Sequence, residues 1–367
     1  MKKKRLKLNR KRLKARKLNN PAMAEFKVFE KKNNLIIGLL AIIIIAAVSV
    51  VIFIGLNKPA DPAGLLPAEE EARAQKPSEL FNDQISLAVT IENMFEVRPQ
   101  DGLSRAKLVI EAPVEGGITR FLAFYDGSEN LSRIGPIRSA RPYFLDWAEE
   151  WRALYVHVGG SPEALNLIKK NNIFNLNQFF ESWYFWRSAR RVAPHNVFSS
   201  SELLKQALTD KDWQEPEGFE RLIYKDDLGA EDRPDQVNDI VIDYSTEPYR
   251  VIWKYDREAN SYLRYQGGQP HLDAAGQQLK VKNVLIQFAE MRVIDNEGRR
   301  YIKTIDNNIG ILYRDGQVME INWEKKDRSD RTKFYDLTGP EIEFNRGITW
   351  IEVVPRDLLN TTSSSLF

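Results

Sequence analysis

The chain has 367 residues, with 53 Lys/Arg against 51 Asp/Glu, 43% hydrophobic residues, three histidines and no cysteine. This length suits about two domains with cores of their own, and the absence of cysteine excludes a disulfide framework, a thiol-linked lipid and a cysteine zinc site. The balanced total conceals an asymmetry: residues 1–34 hold 14 Lys/Arg against only Glu25 and Glu30, so the remainder is net acidic.

The basic tail 1–34 runs into LIIGLLAIIIIAAVSVVIFIGL at 35–56, 22 residues without a charge and with Ser49 as the single polar side chain. A helix of that length spans roughly 33 Å, enough to cross a bilayer core. A lone segment in hydrocarbon satisfies its backbone only as a helix, so 35–56 is predicted to be a single-pass transmembrane helix with the lipid bilayer as its partner. The flanking Lys/Arg predict the N-terminus inside the cytoplasmic membrane and the C-terminal domains outside. A cleaved signal peptide fits less well, because its apolar region is shorter and Asn57-Lys58-Pro59 offers no small-x-small site. Residues 2–17 read as a topology signal that also suits an anionic lipid surface. The Pro/Glu-rich stretch 57–80 reads as a linker.

Residues 81–213 are predicted to form an α/β or α+β ectodomain. Strand patterns at 85–91, 118–125 and 153–158 alternate with helical ones. Tyr143, Trp147 and Trp151 share one helical face, and Ser161-Pro162-Glu163 opens a helix with an N-cap, a first-turn proline and an acid. Residues 214–356 are predicted to be a mainly β domain, a sandwich or barrel, with strands at 239–244, 249–255, 281–288, 309–313, 318–323 and 349–354. Asp315-Gly316 marks a hairpin between two of them. Trp253, Trp323 and Trp350 read as core, and 357–367 as a flexible tail.

Several ordered motifs carry a resemblance: Arg98-Pro99-Gln100-Asp101-Gly102, Glu115-Gly116-Gly117-Ile118-Thr119-Arg120-Phe121, Ile134-Gly135-Pro136-Ile137-Arg138-Ser139-Ala140-Arg141, His157-Val158-Gly159-Gly160-Ser161, Ala193-Pro194-His195-Asn196, His271-Leu272-Asp273 and Trp350-Ile351-Glu352-Val353-Val354-Pro355. Together they resemble the YerB-like family, whose two halves form a domain of unknown function (DUF3048, N- and C-terminal parts). The resemblance covers most of 85–356. It implies tethering outside the cytoplasmic membrane, commonly as a lipoprotein, and supplies no catalytic residues. The missing lipid-bearing cysteine departs from that pattern, and the 35–56 span is expected to replace it.

The candidate ligand-binding residues are Arg120, Arg138, Arg141, His157, Ser161, Glu163, His195 and Asn196, with Glu111, Glu115, Arg133, Trp186 and Arg187 as secondary candidates. Guanidinium forks match phosphate and carboxylate groups, and strand-end loops are where α/β proteins place ligands. The competing structural reading pairs the arginines with Glu111, Glu115, Asp146 and Glu149. A Ser161–His–Asp146 hydrolase is weakly indicated, because Gly-Gly-Ser-Pro-Glu is not a nucleophile elbow and an N-cap explains Ser161. Glu111 and Glu115 are weighed as a glycosidase pair. The aromatic run 183–186 suits sugar stacking but reads more readily as core or interface. No metal site, cofactor or nucleic-acid partner of the ectodomain is expected. The reading is a membrane-anchored extracytoplasmic protein that binds an anionic cell-envelope polymer through an Arg/His cleft. The alternatives are an envelope hydrolase using the same loops and a scaffold for a protein partner.

Overall fold

The computed structural model describes residues 85–214 and 220–358, all within one compact unit, Ala63–Phe367. The predicted span 35–56, the basic tail, the whole linker 57–80 and almost all of the C-terminal tail lie outside the described residues. Among the described residues no helix is long and apolar enough to cross a membrane.

The first half is mixed α/β. Strands β1 (Leu87–Glu92), β2 (Leu108–Pro113) and β3 (Thr119–Tyr125) precede helix α1 (Pro142–Glu150). Then follow β4 (Leu154–His157), α2 (Pro162–Asn171), β5 (Asn175–Asn177) and α3 (Ser201–Asp210). The aromatic face of α1 behaves as its spacing requires, with Tyr143, Trp147 and Trp151 all buried. Helix α2 starts as predicted: the Ser161 hydroxyl accepts from the Ala164 amide at 3.3 Å, satisfying one of the helix's orphan donors.

The second half is mainly β. It contributes β6 (Ile240–Asp243), β7 (Arg250–Asp256), β8 (Ser261–Gln266), β9 (Asn283–Ala289), β10 (Asp306–Arg314), β11 (Gln317–Lys325), β12 (Lys333–Asp336) and β13 (Thr349–Pro355). The β10–β11 hairpin pairs Arg314 with Gln317 across Asp315-Gly316. Both turn residues have positive φ, 54° and 73°, the backbone that a two-residue hairpin turn demands and that glycine adopts without strain.

The expectation of a sandwich or barrel for 214–356 is corrected by the sheet order. One ten-stranded sheet runs β12-β11-β10-β9-β13-β2-β3-β1-β4-β5, so strands from both halves share it. β13 lies between β2 and β9, parallel to each. Alternation along a strand reports which side chains face a core, not which edge a distant strand will join, so this pairing was not readable from pattern. β1, β2, β4, β5, β9 and β13 all point the same way, with β3 antiparallel between β1 and β2.

Both faces of the sheet are covered, which is why its strands are nearly continuously apolar. One face carries Leu122, Phe124, Ile351 and Val353 beneath Tyr143, Phe144 and Trp147 of α1 and Ala164 of α2. The other carries Val89, Phe121, Tyr125 and Trp350 beneath α3 and a smaller sheet built on β6, β7 and β8. There Trp350 makes edge-on contacts with Phe121 at 5.3 Å and with Trp253 at 5.4 Å between ring centres.

Candidate functional site

The C-terminal ends of β1, β2, β4 and β5 and the N-terminal end of β3 bring most of the sequence-predicted residues to one rim of the sheet. This is the edge at which open α/β sheets hold ligands. Glu92 closes β1, and its register partner on β3 is Arg120. Glu115 follows β2, Arg138 and Arg141 lie in the connection before α1, and Gly159-Gly160 follows β4.

Glu92 is the organising group, and no motif in the chain singled it out. Its carboxylate is buried, is ion-paired with the Arg138 guanidinium and lies 3.0 Å from His195 Nδ1. Arg138 also donates to the Pro194 carbonyl at 3.2 Å, drawing the His195 loop onto the sheet. Arg141 makes a two-pronged pair with Glu115, Nε at 2.6 Å and Nη2 at 2.7 Å. Arg120 is buried, donates to the Ser139 carbonyl at 3.0 Å and leaves Nε without a hydrogen-bond acceptor among the described residues. Its pKa is lowered by burial first and then by the guanidiniums of Arg141 and Arg138, against the opposing pull of Glu92. Three guanidiniums thus share two carboxylates. The pairing reading of the arginines holds for Arg141 with Glu115. The remaining partners differ, since Asp146 and Glu149 pair with Arg328.

The other candidates are dispersed in role. His157 is fully buried, with Nδ1 2.7 Å from the Gly159 carbonyl, Nε2 3.1 Å from Asn175 Oδ1 and its ring stacked on Tyr155. Burial lowers its pKa, so it serves as a clasp beneath the rim. Ser161 caps α2, and Glu163 is exposed in that helix's first turn. Asn196 accepts from Arg187 Nη1 at 2.9 Å. Arg133 is ion-paired with Asp101 and lies over the Phe198 ring, and Trp186 stacks on the same ring.

Two family models match the chain, the N-terminal and C-terminal domains of a protein of unknown function (DUF3048), over residues 73–214 and 240–351. "Putative lipoprotein YerB" of Bacillus subtilis (strain 168) is 31% identical over 286 residues, covering 76% of this chain and 84% of YerB. The crystal structure of YerB from Bacillus subtilis superposes with a TM-score of 0.66, covering 74% of this chain and 91% of that one. The chain belongs to the DUF3048 family.

In this DUF3048 chain the two family regions meet at a buried charge network that removes Glu111 from the rim. Glu111 on β2 and Glu352 on β13 are register partners on adjacent parallel strands, so their carboxylates face the same way. Arg264, from β8 of the smaller sheet, reaches between them, with Nη2 2.6 Å from Glu111 and Nη1 2.8 Å from Glu352. All three side chains are wholly buried. Trp253 Nε1 and the Tyr244 hydroxyl each donate to Glu352 at 2.8 Å, and Thr119 donates to Glu111 at 2.5 Å. Arg264 Nε donates to His271 Nδ1 at 3.0 Å, while His271 Nε2 lies 2.9 Å from Gln100 Oε1. The Arg264 guanidinium also lies 4.5 Å from the Trp350 ring centre. Burial and the neighbouring Glu352 charge push the Glu111 carboxyl up to about 8 against the pull of Arg264. Burial beside Arg264 and Arg98 drives His271 well below the usual imidazole range. Glu111 and Glu115 therefore form no catalytic carboxylate pair: one binds Arg264 inside the core and the other binds Arg141.

Proposed function

We propose that this DUF3048 chain is an extracytoplasmic binding protein, held to the membrane by residues 35–56, that takes an anionic envelope polymer at the rim formed by Arg120, Arg138, Arg141 and His195. Tethering is supported by the apolar run with its basic flank and by the lipoprotein name carried by the Bacillus relative. The observation that carries the binding reading is the surplus of cation at the rim. Glu92 and Glu115 are shared among three guanidiniums, and buried Arg120 keeps an Nε–H without an acceptor among the described residues. An incoming phosphate or carboxylate would relieve the repulsion among these groups and meet charge-assisted donors.

The test uses the full chain in detergent and a polyphosphate column. Saturable retention that weakens with salt is expected. Arg138→Gln should weaken it about ten-fold while the protein stays folded by circular dichroism, since hydrogen bonds to charged groups contribute about 1.5–3 kcal/mol. Unchanged retention in that variant would sink the assignment. One contact favours a second reading, a hydrolase. Glu92 orients His195 through Nδ1, while Nε2 has no partner among the described residues, the arrangement of a water-activating base. Release of soluble fragments from a bound envelope polymer, abolished by His195→Gln, would establish that reading instead.

A further inference from the structure

The loop after β5 displays apolar rings that the fold holds out of the core. Phe179, Phe180 and Trp183 are 64%, 77% and 63% exposed, whereas Tyr184 and Phe185, from the same run, are buried. This is not a frayed segment. Asn177 Oδ1 accepts from the amides of Gly159 at 3.0 Å and Phe179 at 3.2 Å, and the Asn177 carbonyl accepts from Phe180 and Glu181. Glu181 is paired with Lys211 at 2.6 Å, and the Tyr184 hydroxyl donates to Asp210 at 2.6 Å. Gly159, with φ 57°, lies so close beneath Phe179 that a Cβ there would stand 2.5 Å from the ring. A backbone fixed in this way loses little further freedom when something packs on the rings it carries.

A cationic group with no carboxylate partner among the described residues adjoins the rings through Gln178. The exposed Arg187 guanidinium bridges the two loops of the rim, 3.4 Å from Gln178 Oε1 and 2.9 Å from Asn196 Oδ1. Arg190, exposed on the same loop, pairs with no carboxylate among the described residues. Arg187 thus adds to the cationic surplus of the three guanidiniums that share Glu92 and Glu115. An occupant must offer flat, partly apolar faces to the rings and anionic groups to Arg187, with hydroxyls for the Gln178 amide. A bilayer surface offers apolar and anionic groups too. However, a lipid tail is a flexible chain and offers no flat face for a ring to stack on.

We infer that Phe179, Phe180, Trp183 and Arg187 form a stacking platform for an acidic polysaccharide. This rests on the anion-binding reading above and adds the sugar ring to it. The full chain in detergent is tested on three immobilised probes: polygalacturonate (ring and charge), polyphosphate (charge alone) and dextran (ring alone). Wild type should hold polygalacturonate most tightly. The double variant Phe180→Ala/Trp183→Ala should lose about ten-fold on it and nothing on polyphosphate. Equal retention of polygalacturonate by wild type and variant overturns the platform. Loss of polyphosphate binding by wild type would instead overturn the anion site, with the platform judged by dextran alone. Quenching of fluorescence by brominated lipid in nanodiscs, absent in Trp183→Phe, would assign these rings to a bilayer and also overturn the proposal.

Discussion

Glu111 and His271 sit in one buried network yet pull stability in opposite directions with pH. The Glu111 carboxyl, at about 8 in the folded chain against an ordinary 4.5, keeps a proton that the unfolded chain releases. Its contribution is therefore present at low pH and lost as pH rises through about 8. His271 is held neutral, well below an ordinary 6.5, so acidification below 6.5 protonates the unfolded chain and costs stability. Of these two groups only Glu111 acts between pH 6.5 and 8. Urea denaturation of the full chain should show about 2 kcal/mol less stability at the upper end of that window. Glu111→Gln, neutral throughout, should flatten the slope; an identical slope would place its origin elsewhere. None of this was legible beforehand. The sequence showed Glu111 four residues from Glu115 in an extended segment, and nothing local indicated that Arg264, 153 residues downstream, would claim one and Arg141 the other.

Helix α2 shows what local sequence can specify. Ser161-Pro162-Glu163 names the start of the helix, and Asn172 ends it in the left-handed conformation, φ 51°, as C-terminal caps often do. Ser161→Ala should cost about 1 kcal/mol, seen as a lowered thermal midpoint, and should leave polyphosphate retention unchanged. A large loss of binding without loss of stability would return Ser161 to the site. Helix α1 was equally readable, because three aromatics at intervals of four can only line one face. Helix α3 went unread although Ser200 caps it, with its hydroxyl accepting from Leu203 at 3.3 Å. The exposure of Trp183 beside buried Tyr184 was also unreadable, because a run of four aromatics states that rings must pack without stating which ones.

At the scale of the whole molecule, the central feature is β13, near the end of the chain, wedged between β2 from near its beginning and β9. Family models divide the chain near residue 214, yet a polypeptide cut there would expose the long edge of β2 and leave Glu111 buried without Arg264. A buried polar group left without its hydrogen-bond partner costs about 1–3 kcal/mol. Residues 81–213 expressed alone should therefore lack the dispersed amide spectrum of a folded protein, and co-expression with 214–356 should restore it. A well-dispersed spectrum from the first fragment would show that the shared sheet is dispensable. What the sequence determined by itself was everything set by near neighbours: the apolar run with its basic flank, the strand and helix periods, the caps and the Asp-Gly turn. Tertiary structure alone decided that two halves make one sheet, that Glu92 gathers Arg138 and His195, and that Arg187 meets no carboxylate among the described residues. These outcomes depend on which edges and charges meet across a hundred residues or more, and alternation, capping and turn chemistry act over only a few.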